Sequence, residues 1–88
     1  MRTSATKVTY EVGAIGVRFQ DNVLYVALSD GREISLPIDR IDWLNWLAQA
    51  TSEQRANWSI EPGGFAIYWS SLDNGIEVCH LLGMQPLA

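Results

Sequence analysis

The pair Asp30-Gly31 stands between two short β-prone runs, and it constrains this chain more than any other feature. Before it, Val23-Leu24-Tyr25-Val26-Ala27-Leu28 is rich in β-branched and aromatic residues and largely apolar on both faces, the make-up of a well-packed strand. After it, Glu33-Ile34-Ser35-Leu36 alternates, with Ile34 and Leu36 inward. Asp-Gly between such runs signals a type I′ hairpin, because glycine accepts the positive φ that the turn requires. Pro37 ends the second strand, having no N–H to give a ladder. Upstream, Ile15, Val17 and Phe19 alternate onto one face, and Asp21-Asn22 reads as a tight turn. The first half is therefore predicted to be a three-stranded meander. Val8, Tyr10 and Val12 also alternate and suggest a further short strand behind a flexible start over residues 1–7.

The period then changes. Ile41, Leu44, Leu47 and Ala48 recur at helical spacing, with Asp39 and Asp42 near the positive N-terminal end. Trp43 and Trp46 lie on an adjacent face, one turn apart. Thr51-Ser52-Glu53-Gln54 is a capping box that opens a short helix ending near Asn57. A short strand over 58–61, a Pro62-Gly63-Gly64 turn and a strand over 65–69 follow, the last with Phe65, Ile67 and Trp69 on one face. After an Asp73-Asn74-Gly75 turn, residues 76–82 fit a short strand and one helical turn closing at Gly83. The order β-β-β-α-α-β-β-α describes an α+β fold of two layers, an antiparallel β-meander sheet covered by short helices. The whole chain, 1–88, reads as a single domain.

Composition excludes several classes of function. The net charge is −4 with a pI of about 4.6, and the basic residues Arg2, Lys7, Arg18, Arg32, Arg40 and Arg55 are scattered. Phosphate neutralisation by clustered Lys and Arg is what sequence-independent nucleic-acid binding rests on, so no nucleic acid is expected as a partner of this chain by itself. No apolar run approaches the roughly 20 residues of a membrane helix, and residues 1–6 lack the apolar segment of a signal peptide. A lone Cys79 forms no internal disulfide. These features predict a cytoplasmic protein without a membrane association.

Candidate chemistry is sparse. Cys79 and His80 are adjacent, but structural zinc takes four ligands and no second Cys or His exists. A nucleophilic Cys79 would need a base held by a third group, which His80 cannot supply from the next position. Asp39, Asp42, Glu53, Glu61, Asp73 and Glu77 could in principle supply a carboxylate pair, but Asp39 and Asp42, one turn apart at a helix start, are accounted for by the helix macrodipole. Pro62-Gly63-Gly64 lacks the lysine and helix of a phosphate loop. No catalytic residue, metal site or cofactor is expected, and the chain reads as a non-enzyme. Trp43 and Trp46 widen the apolar stripe of their helix beyond what one sheet covers. Either that helix is nearly surrounded, between the sheet and the 51–57 helix, or the tryptophans form a protein-binding surface, the kind of site where Trp is enriched.

Three stretches carry a resemblance. Val17-Arg18-Phe19-Gln20-Asp21, Leu24, Val26, Leu28-Ser29-Asp30-Gly31-Arg32-Glu33-Ile34 and Pro37 resemble the front half of the small bacterial family DUF2442. Residues 51–58 resemble its centre, and Ile67-Tyr68-Trp69-Ser70-Ser71-Leu72-Asp73, Ile76, Val78 and Leu81-Leu82-Gly83 its end. The family often carries His-Trp-Pro where this chain has Tyr68-Trp69-Ser70, so no role of that histidine carries over. The resemblance brings no established activity. It implies either a regulatory or antitoxin-like partner of a neighbouring small protein, or the small-molecule sensing domain of a transcriptional regulator without its DNA-binding part. The first of these, a non-enzymatic protein-interaction module, is the leading expectation. Exposed sheet edges invite pairing, and a homodimer is expected in the absence of the natural partner, with Trp43, Trp46 or Tyr25 at the contact.

Overall fold

The computed structural model describes residues 12–83; the expected flexible start at 1–7 and the beginning of the strand at Val8 lie outside them. Strands β1 (Ala14–Gln20), β2 (Val23–Leu28) and β3 (Glu33–Pro37) pair antiparallel in chain order. A 3-10 turn (Asp42–Leu44) runs into α1 (Asn45–Ala48), and α2 (Ser52–Ala56) follows. Strands β4 (Trp58–Ile60), β5 (Ala66–Trp69) and β6 (Asn74–Glu77) make a second antiparallel sheet, and α3 (Val78–Gly83) closes the described chain. The α+β fold read from the sequence is the fold adopted: antiparallel meanders with short helices. The second half builds a three-stranded sheet of its own, with β6 as its third strand.

Register shows which side chains face inward. Directly opposed residues share a face, so Phe19, Leu24 and Leu36 form one inner row and Val17, Val26 and Ile34 the next. In the second sheet Ile60, Ile67 and Ile76 form an inner row, with Trp58 opposite Trp69 beside it. These rows join Leu44, Leu47, Val78 and Leu81 of the helices in one core. Trp69, fully buried, is the joint between layers: its ring meets Phe19 of β1 edge-on at 6.4 Å and Trp46 of α1 at 5.6 Å. The segment before β1 passes close to the turn between β4 and β5: a Cβ on Gly13 would lie 2.8 Å from the Gly63 carbonyl oxygen.

Five local expectations need correction. The loop after β2 is not type I′, because Asp30 is not at positive φ; only Gly31 is, at 94°. The Gly31 N–H donates to Leu28 O and the Leu28 N–H to Arg32 O, the pattern of a three-residue loop in which a left-handed glycine follows a type I turn. Second, Ile15 does not share the face of Val17 and Phe19. The register slips between Ala14 and Gly16, and Ile15 bulges out to 66% exposure; one extra residue breaks the alternation on which the reading depended. Third, Phe65 precedes β5 in a helical conformation (φ −77°, ψ −21°) and is 53% exposed, away from buried Ile67 and Trp69. Fourth, the turn before β6 lies over 70–73, with Asp73 left-handed at φ 49°, while Asn74 and Gly75 pair with Trp69 and Tyr68 inside the ladder. Fifth, the helix expected around 41–48 begins as 3-10 and contains only one α-turn.

Candidate functional site

Two surface features stand out, one on each side of α3. Toward the Gly63-Gly64 turn, Val12, Phe65, Ala66, Val78, Cys79 and Leu82, together with the charged Glu77, line an open, largely apolar groove of about 450 Å³. Phe65 is presented there because Gly63 and Gly64, both at positive φ, turn the chain out of β4 before β5 begins. Val78 donates its N–H to the Phe65 carbonyl at 2.8 Å, so the start of α3 is tied to the same turn. On the other side, Trp43 is 38% exposed and meets the His80 ring edge-on at 4.7 Å.

The expected interface residues separate into two groups. Trp43 and Trp46 are neighbours: the Trp46 indole N–H donates to the Trp43 carbonyl at 2.9 Å. Trp46 then turns its ring inward against Trp69 and is partly buried. Tyr25 lies on the outer face of the first sheet, across from Arg18 and Ser35. The Arg18 guanidinium stacks over its ring at 3.9 Å and reaches across β2 to Glu33 on β3 at 3.2 Å. Tyr25 shares a shallow surface groove with Gly16, Val17, Ala27 and Glu33, and neither tryptophan lines it.

Nothing in the spacing of residues singles out Arg55, yet among the described residues its side chain donates four hydrogen bonds. Its Nε donates to Leu47 O at 3.0 Å, Nη1 to Asp21 O at 3.2 Å, and Nη2 to Asn22 Oδ1 at 3.2 Å and Ala48 O at 3.1 Å. One side chain thus joins the end of α1 to the β1–β2 turn. Four acceptors for one planar fork suit arginine and no other side chain. The capping box that positions it forms as read: the Gln54 N–H donates to Thr51 Oγ1 at 3.1 Å, and the Thr51 N–H to Gln54 Oε1 at 2.9 Å.

Among the described residues, Asp30 and Tyr68 are shifted from their ordinary values. The backbone N–H of Arg32 donates to Asp30, followed by its guanidinium at 2.7 Å, and together they hold that carboxyl below its ordinary 3.8. The Tyr68 hydroxyl donates to Asp73 Oδ1 at 2.6 Å, and that bond raises the phenol above its ordinary 10.0. Both are surface pairs that pin turns. Cys79 and His80 are exposed, and among the described residues no three His, Cys, Asp or Glu side chains gather as metal ligands would. Among the same residues no helix is long and apolar enough to cross a membrane.

No curated protein matches the chain. Two solved structures share its fold. A protein of unknown function from Rhodospirillum rubrum superposes with a TM-score of 0.68 at 21% identity, over 83% of this chain and 87% of that one. An uncharacterized protein from Chromobacterium violaceum, determined in solution by NMR, gives 0.66 at 23% identity, over 81% of this chain and 64% of that one. The family described as "Protein of unknown function (DUF2442)" matches residues 14–83, which takes in every strand and helix above, and the chain belongs to that family.

Proposed function

We propose that this chain is a non-enzymatic protein-interaction module whose contact surface flanks α3. The observation that supports this reading is the placement of Phe65. It is a large apolar side chain, 53% exposed, on the rim of an apolar groove next to a turn that holds it there. Aromatic anchors beside apolar pockets carry much of the energy of protein contacts. Trp43, on the other side of the same helix, extends the surface. The natural partner is a second protein presenting an apolar side chain to the groove, in keeping with a regulatory or antitoxin-like role beside a neighbouring small protein. Without that partner, a second copy of the chain occupies the surface.

A photo-crosslinking residue at position 65 tests this in cells, with position 32 in the exposed hairpin loop as control. The expected result is one discrete protein adduct from position 65 and none from position 32. Equal labelling from both positions, or no adduct from position 65, overturns the reading. A small-molecule sensing role is the second reading. Its support is the groove volume of about 450 Å³, which falls in the range of small-ligand pockets.

A further inference from the structure

The apolar groove beneath Phe65 has a charged side. Glu77 lies on its wall beside Ala66, and the sheet register shows how it comes to be there. Ala66 of β5 stands directly opposite Glu77 of β6. On the other side, the Glu61 N–H donates to the Ala66 carbonyl at 2.9 Å, one step beyond the pair Ile60 and Ile67. Opposed residues share a face and successive residues alternate. Ile60, Ile67 and Ile76 face the core, so Glu61, Ala66 and Glu77 form a row on the outer face. Neighbours in such a row have Cβ atoms roughly 5 Å apart, which sets the two glutamates roughly 10 Å apart across a single methyl group. Both are exposed, and among the described residues neither is in an ion pair.

The charge of this half of the molecule has one sign. Residues 56–83 contain no Lys or Arg, and their acidic side chains are Glu61, Asp73 and Glu77. The arginines of the described residues stand elsewhere: Arg18 in β1, Arg32 in the loop after β2, Arg40 in the turn after β3 and Arg55 in α2. Tyr68 lies in the next row of the same outer face, opposite Ser59 and Gly75. Its hydrogen bond to Asp73 is the main cause of its raised titration, and the negative charges of Asp73 and Glu61 add to it. The field of Glu61 therefore extends over this face of the sheet. Apolar groove and carboxylates meet at Ala66 and Glu77, which belong to both.

We propose that the partner segment received at this surface is basic and amphipathic, with a bulky apolar side chain that enters the groove beside Phe65 and a nearby Lys or Arg that reaches Glu77 and Glu61 across Ala66. This inference rests on the reading of the α3 flank as a protein-contact surface. The stem of a lysine or arginine is itself apolar and lies along Ala66 while its head stays among the carboxylates. Charge complementarity of this kind fixes register and speeds encounter, and the apolar anchor carries most of the affinity. A second copy of the chain is the poorer occupant, because a two-fold contact sets the same patch against itself and brings like charges together.

The test is selection of a random-peptide library on the immobilised chain, followed by fluorescence anisotropy of the selected peptides. These are expected to carry Lys or Arg within a few residues of a bulky apolar side chain. Phe65→Ser should weaken a selected peptide about tenfold, as the loss of an anchor does. Glu61→Gln combined with Glu77→Gln should weaken it about fivefold, the scale of exposed ion pairs, and raising salt from about 0.05 M to about 0.5 M should have a similar effect. All three positions are exposed, and the amide spectra of the variants should match the parent's. Peptides that depend on Phe65 but carry no excess of Lys or Arg, or whose affinity ignores the two glutamates, overturn the basic partner and leave the contact surface standing. Peptides indifferent to Phe65, or a library that yields none, overturn both.

Discussion

The indole N–H of Trp69 donates to the main-chain carbonyl of Arg55 at 2.9 Å, while the side chain of Arg55 runs toward α1 and the β1–β2 turn. A single residue thus ties the buried joint between the sheets to the helices over it. Its backbone satisfies a buried donor that would be costly to leave unpaired. Its fork reaches the Leu47 and Ala48 carbonyls at the end of α1, the first of which also accepts from the Ala50 N–H.

Arg55→Lys is expected to destabilise the protein by about 1–3 kcal/mol, because an ammonium cannot reproduce a planar fork with four acceptors. Urea unfolding measures it. A loss below about 0.5 kcal/mol, the level of an ordinary surface change, would show that water replaces the guanidinium at those carbonyls.

Gly31→Val should cost about 1–3 kcal/mol, since a β-branched residue is held at φ 94°. Nothing lies within 4 Å of the Cβ position, so the cost is backbone strain alone. Gly31→Asn should lose less, because asparagine tolerates the left-handed region. Equal melting temperatures for the valine and asparagine variants would contradict this account.

Trp43→Glu and Trp46→Glu should behave differently, although the two residues are one turn apart. Trp43 is exposed, and its variant is expected to stay folded, within about 1 kcal/mol of the parent. Light scattering at high micromolar concentration should show a dimer for the parent and a monomer for Trp43→Glu. Trp46 packs on Trp69, and a carboxylate there should cost about 2–4 kcal/mol through lost packing and burial of charge. Circular dichroism melts decide it, and a Trp46→Glu protein as stable as the parent would remove that side chain from the core.

Tyr68 gives a pH dependence with a definite sign. Its proton is held more tightly in the folded chain than in the unfolded one, so its contribution is fully present below pH 10.0 and is lost as pH rises through the higher folded value. The ring-carbon shift of Tyr68 should titrate with a midpoint above 10.0 and move back toward it in Asp73→Asn. A Tyr68 midpoint that ignores Asp73→Asn would refute the assigned cause.

The features legible in the sequence were those decided by near neighbours. The capping box at Thr51 and Gln54, the strand Val23–Leu28 and the inward Ile34 and Leu36 each follow from a few adjacent residues. Misreadings occurred where one residue changed the count. Ile15 is an inserted bulge, Phe65 belongs to the turn and not to the strand, and Asp30 takes a negative φ because the loop is one residue longer than the two-residue type. Arg55 was invisible for another reason. Three of its four acceptors are main-chain carbonyls, and a carbonyl is the same at every position, so no spacing of residue types could announce it. Of the proposed surface only Trp43 was legible, since Phe65 was read as a strand residue sharing one face with Ile67 and Trp69.

Each sheet is assembled from strands that follow one another along the chain, and this bears on how the protein reaches its native state. Every strand pairing closes only a short loop, a step with a small entropic cost. The distant encounters, such as Phe19 with Trp69 and Gly13 with Gly64, close much longer loops, so they carry the larger share of the entropic cost. In a chain of this topology the ladder hydrogen bonds are local in sequence, while the common interior is assembled from both halves.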